Sequence, residues 1–116
     1  MSTVFITQIP SRIEQRITGP VWAPIVDVSP AKLFGDLCIM LPSGMNYSDA
    51  ALVVRQLREP LKTFDPDKDF LLAVGDPVVI AVASAMVGYD HEYFWLLKWD
   101  RQQRRYIPYE VKLHGQ

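Results

Sequence analysis

The run Phe70-Leu71-Leu72-Ala73-Val74-Gly75-Asp76-Pro77, continuing into Val78-Val79-Ile80-Ala81-Val82-Ala83-Ser84-Ala85-Met86-Val87-Gly88, constrains the fold more than any other stretch of this chain. It reads as a buried strand, a tight turn and an almost wholly apolar helix. Asp76 suits the N-cap, where a carboxylate accepts from the free amides of the first turn. Pro77 suits the first helical position, where its missing N–H costs nothing. Gly88 suits the left-handed residue that closes a helix. A strand feeding such a helix is the building unit of α/β folds, so a sheet with helices laid on it is expected.

The rest of the chain supplies the other layers. Val4-Phe5-Ile6-Thr7-Gln8-Ile9 is a β-branched and aromatic run ended by Pro10, and Asp36-Leu37-Cys38-Ile39-Met40-Leu41 is apolar and of strand length. Positions 11–19 are polar and suit a hairpin loop or flap. The stretch 21–28 reads as extended, with Pro24 confining it to an edge or an irregular segment. Ser29-Pro30 opens a loop or short helical turn that runs to Gly35. Asn46 and Asp49 offer a capping-box-like start to a second helix. That helix shows Ala50, Val53, Val54, Leu57, Leu61 and Phe64 on one face, with Pro60 a kink or break. Tyr93-Phe94-Trp95-Leu96-Leu97-Lys98-Trp99 and Tyr106-Ile107-Pro108-Tyr109-Glu110-Val111-Lys112-Leu113 form the arms of a terminal hairpin. The expected fold is therefore α/β: a small mixed sheet of about five to six strands with two helices and a C-terminal β-hairpin. Its parallel centre is expected from the segments near 37–41, 70–74 and 94–99, with strand order open. Because the helix after Pro77 is apolar all round, it is expected to be covered on a second side, by the N-terminal segment or by a second subunit. A homodimer is the expectation that follows.

A chain of 116 residues, 49% hydrophobic and 22% charged, is one domain (1–116) with a core of its own. A formal net charge of -1 removes any whole-protein electrostatic case for nucleic acid or anionic membrane. Cys38 is the only cysteine, so no internal disulfide forms, and its apolar strand makes it a small buried hydrophobe. Met1-Ser2-Thr3-Val4-Phe5 lacks the basic start of a secretory leader, and Gly75-Asp76-Pro77 breaks the most apolar window. A cytoplasmic protein without membrane insertion is expected.

Two candidate sites follow. Gly75 and Asp76 lie at the carboxyl end of a strand, where open α/β sheets hold ligands, and Ser43 and Gly44 follow the preceding strand at the same sheet edge. Against an anion site there, no glycine-rich phosphate fingerprint is present, and a capping aspartate both occupies the amides and repels anions. The second candidate is the terminal hairpin. There Lys98, Arg101, Arg104, Arg105 and Lys112 interleave with Trp99, Tyr106 and Tyr109. Tryptophan, tyrosine and arginine dominate protein-interface hot spots. The same set can stack on and neutralise single-stranded nucleic acid, or it can be a solvated tip with its aromatics in the core. Asp100 beside Arg101 and Arg104 suggests a salt-bridged turn. His91 and His114 do not pair with Cys38, and Asp90, His91 and Glu92 read as a solvated loop. Asp65, Asp67 and Asp69 lack the glycine and distal glutamate of a calcium loop. No catalytic residue, metal ligand or cofactor is assigned.

Val4-Phe5-Ile6-Thr7-Gln8-Ile9-Pro10, Val54-Arg55-Gln56-Leu57-Arg58, Val74-Gly75-Asp76-Pro77, Leu96-Leu97-Lys98-Trp99-Asp100-Arg101 and Arg105-Tyr106-Ile107-Pro108 together resemble short uncharacterised proteins of proteobacterial phages and plasmid-like elements. The resemblance implies a small cytoplasmic accessory protein of a mobile element and carries no catalytic residue. The expected function is a non-enzymatic interaction protein that binds a protein partner or itself through Trp99, Arg101, Arg104, Arg105, Tyr106 and Tyr109. The alternative is a nucleotide or single-stranded nucleic-acid binder using the Gly75–Asp76 crevice and the hairpin arginines.

Overall fold

The computed structural model describes residues 1–42 and 49–113, with the side chain of Trp22 outside the description. Among the described residues there are seven strands: β1 (Thr3–Gln8), β2 (Ser11–Arg16), β3 (Gly19–Pro24), β4 (Asp36–Leu41), β5 (Phe70–Leu72), β6 (Tyr93–Asp100) and β7 (Arg105–Lys112). Two α-helices, α1 (Ala50–Leu61) and α2 (Pro77–Asp90), join a 3₁₀ helix at Ser29–Phe34. Five strands form one mixed sheet in the order β4-β1-β5-β6-β7, parallel throughout except for the antiparallel β6–β7 hairpin. β2 and β3 form a separate antiparallel ribbon. This placement keeps Pro24 out of any central ladder.

The three segments expected at the parallel centre are parallel strands of one sheet, and β1 joins them as a fourth. β1 inserts between β4 and β5, so the segments near 37–41 and 70–74 are not neighbours. One backbone-directed contact, from the turn before β5, holds β1 at its start. The Asp69 carboxylate, almost fully buried, accepts from Thr3 N–H at 2.9 Å and from Asp65 N–H at 2.8 Å. A buried carboxylate is tolerated because both oxygens are hydrogen-bonded.

The sheet has two unlike faces. α1 and α2 cover one, burying Phe5, Met40, Leu71 and Phe94 beneath Val53, Leu57, Val79, Ala83 and Val87. The other face carries Val4, Ile6, Leu72, Leu97 and Tyr106 under Val28 and Ala31, which flank and belong to the short 3₁₀ helix. The chain steps from β1 to β4 in one direction and from β4 to β5 in the other. Crossovers of one hand must then lie on opposite faces, as these do.

The helix starts follow the sequence. The Asp76 carboxylate accepts from Val78 N–H at 2.8 Å, and Pro77 opens α2. Asp49 caps α1, accepting from Ala51 N–H at 2.9 Å; Asn46 lies outside the described residues. Pro60 falls in the last turn of α1, and Phe64 is buried beyond the helix end. The assignment of Gly88 as a closing residue is corrected. α2 runs on to Asp90 and is capped by His91, whose N–H reaches the Val87 carbonyl at 3.0 Å. Gly88 sits inside the helix, where a Cβ would come within 2.6 Å of Leu113 Cδ1. Its small size serves close approach of the C-terminal strand end rather than a left-handed turn.

Candidate functional site

The carboxyl ends of the parallel strands are where an open sheet offers a crevice, and β1 lies at the point where the chain reverses direction. Here the described part of that crevice is tied together by the chain's own polar side chains. Gln8, nearly buried, accepts from Asp76 N–H through Oε1 at 3.1 Å and donates to the Pro42 carbonyl through Nε2 at 3.3 Å. One amide thus ties the ends of β1, β4 and the start of α2. Thr7 Oγ1, fully buried, accepts from Val74 N–H at 2.8 Å and donates to the Val74 carbonyl. Gly75 takes φ +103°, and a Cβ there would stand 2.9 Å from the Gln8 backbone oxygen. Glycine is required for the close packing of this turn onto Gln8, not for approach to a ligand.

The sequence placed Gly75 and Asp76 at this edge with Ser43 and Gly44. Gly75 and Asp76 are there, with the Asp76 and Val78 amides already donated within the chain. Ser43 and Gly44 lie outside the described residues. Thr7 and Gln8 were not singled out, although two consecutive polar residues ending an apolar strand were the available signal.

The second site is open. β5 stops at Leu72, opposite Leu97, while β6 continues to Asp100. Past that pair, β6 is flanked on one side by β7 and on the other by a notch of about 660 Å³. Val26, Leu72, Val74, Leu97, Trp99 and Tyr109 are among its lining residues, and Lys98 stands beside it. Trp99 is 40% exposed and Tyr109 48% exposed. Tyr106 is the exception among the hairpin residues expected at an interface. It is 5% exposed and packs edge-on against Trp99 with ring centroids 5.0 Å apart, so it is core and supports Trp99 from below. Burial, with the Asp27 charge as a smaller cause, pushes the Tyr106 phenol above its usual range.

The turn that closes the hairpin is built by Asp100. Its carboxylate accepts from Gln102 N–H at 2.9 Å and Gln103 N–H at 3.0 Å, and its carbonyl accepts from Arg104 N–H at 2.8 Å. The expected Asp100 salt bridge is therefore replaced by a backbone-capping role, because the turn's own amides are nearer than the arginine heads. Arg101 and Arg104 are exposed and take part in no ion pair among the described residues, whereas Arg105 Nε donates to Gln103 at 2.8 Å. Arg104 has φ 55°, a left-handed conformation that a side chain bears at a cost of about 1 kcal/mol.

Elsewhere the polar groups are structural. Asp65 accepts from Asp67 N–H, and Asp67 accepts from the Tyr93 hydroxyl, which raises the Tyr93 pKa. His91 leans on Phe64 with centroids 5.7 Å apart, and His114 is outside the described residues. Cys38 is half-buried, and burial pushes its thiol pKa up. Among the described residues no group of His, Cys, Asp and Glu is arranged to hold a metal ion, and no helix is long and apolar enough to cross a membrane.

Fold and site together define an α/β protein in which Thr7, Gln8 and Asp76 tie together the described part of the usual ligand crevice, while an apolar notch lies open beside β6 of a cationic hairpin. The family described as phage Pam3 gp32-like protein matches residues 2–113, and the chain belongs to that family. Comparisons with curated proteins and with solved structures return no match.

Proposed function

We propose that this protein is a non-enzymatic accessory protein encoded by a phage, working by gripping a protein partner at the notch and hairpin tip. The carrying observation is Arg104. A glycine or asparagine would occupy its left-handed position at lower cost, yet an arginine stands there, in no ion pair among the described residues, in the turn of the hairpin whose strands line an apolar notch. Strain kept at an exposed position is a mark of a site. Apolar lining with flanking arginine suits a partner that presents apolar and acidic side chains.

A photo-crosslinking residue at Tyr109, compared with one at Arg55 on the outer face of α1, tests this in phage-infected cells. The expected result is one protein joined through position 109 and none through 55. Arg104→Gly should keep stability within about 1 kcal/mol while abolishing that crosslink. Crosslinking to nucleic acid instead, or a protein adduct indifferent to Arg104→Gly, would overturn the proposal.

A further inference from the structure

We infer that a second copy of this chain docks in the groove between α1 and α2. The groove, about 510 Å³, has an apolar floor that includes Val54, Leu61, Val82, Ala85 and Met86. One wall is a helix that lacks a polar side. Only Val79, Ala83 and Val87 of α2 are buried, while Val78, Ala81 and Ala85 face outward and Tyr89 is 91% exposed. A helix that is apolar all round is ordinarily covered all round.

The charges on the rims select the occupant and its orientation. Both helices return from the carboxyl ends of parallel strands, so they run parallel and their last turns lie at the same end of the groove. Arg58 stands on the α1 rim there, and Asp90 and His91 on the α2 rim. Arg58 and Asp90 are exposed, and neither takes part in an ion pair among the described residues, whereas Lys62 is held by Glu59 at 2.8 Å. A two-fold axis along the groove lays α1 of one copy on α2 of the other. Arg58 then meets the second copy's Asp90, and the contact occurs twice. A two-fold axis across the groove would instead lay α1 antiparallel on α1 and carry each Arg58 to the opposite end from the second copy's Asp90. Self-complementarity of this kind is the requirement for an isologous dimer. The hairpin notch takes no part in it.

Sedimentation velocity on the whole chain at micromolar concentration decides the matter. The wild type should sediment as a dimer. Ala85→Arg, which places a charge on the outer side of α2, should give a monomer with an unchanged circular dichroism spectrum. Arg58→Asp and Asp90→Arg should each weaken association by about tenfold or more, and the two together should restore it. Arg104→Gly should leave the dimer intact. A monomeric wild type, a dimer that survives Ala85→Arg, or a double reversal no better than the single ones would each overturn the inference.

Discussion

α1 and α2 lie side by side on the same sheet face, yet they are built on opposite principles. α1 is amphipathic: Val53 and Leu57 go under, while Arg55, Gln56, Arg58 and Glu59 face water. α2 buries three positions of the same spacing but continues with valine and alanine around its outer side. Since both contribute similarly to the core, folding alone does not require the outer residues of α2 to be apolar. The contrast separates residues kept for the fold from residues kept for something outside it.

Four substitution sets break or sharpen this contrast. In the core the helices should behave alike: Leu57→Ala should cost about 3 kcal/mol and Val79→Ala about 2 kcal/mol in urea unfolding. A much smaller loss at Val79 would mean that α2 is not the core helix described. Next comes the residue that ties the start of α2 to the ends of β1 and β4. Gln8→Ala removes the acceptor of the partly buried Asp76 amide and one donor to the Pro42 carbonyl and should cost about 2 kcal/mol, again by urea unfolding. The Gly88→Ala effect should be small and of opposite sign. It removes a helix-interior glycine, and the Leu113 tip it meets is half exposed and able to turn aside. A gain of up to about 1 kcal/mol is expected by thermal melting, whereas a true left-handed cap would lose stability. Smallest of all, Arg55→Ala on α1 and Ala81→Gln on α2 should each stay within about 0.5 kcal/mol when measured at dilutions that favour monomer. At high concentration Ala81→Gln alone should lower the melting temperature, because mass action couples association to stability.

The local features of this fold were legible in the sequence, and the non-local ones were not. Asp76-Pro77 announced its helix start because a cap acts on amides two residues away. The hairpin of β6 and β7 followed from two aromatic and β-branched runs, 93–99 and 106–113, set either side of the polar stretch 100–105. Gly88 was misread because its reason, the approach of Leu113, comes from the far end of the chain. Tyr106 was misread for a similar reason: alternation put it on the opposite side from Tyr109, but its burial depends on Val28 and Ala31 crossing above that face. At the Gly75–Asp76 turn the Asp76 cap on the helix amides was legible but the Gln8 contact with the Asp76 N–H was not, because Gln8 reaches it across 68 residues of sequence. The unpaired state of Arg101 and Arg104 depends on the fold of the Asp100 turn, which outcompetes them for the carboxylate.

The central position of β1 has a bearing on how the chain is made. β1 is synthesised before either neighbour, and its contacts with Phe70, Leu71 and Leu72 cannot form until those residues leave the ribosome. Both ladder edges of Val4, Phe5 and Ile6 are unfilled until β4 emerges, and the edge facing β5 stays open until residues 70–72 follow, the condition in which chains pair wrongly or recruit chaperones. Sheet assembly is thus delayed rather than sequential, and the nascent protein should pass from largely open to closed within the short span of translation that delivers β5, α2 and β6.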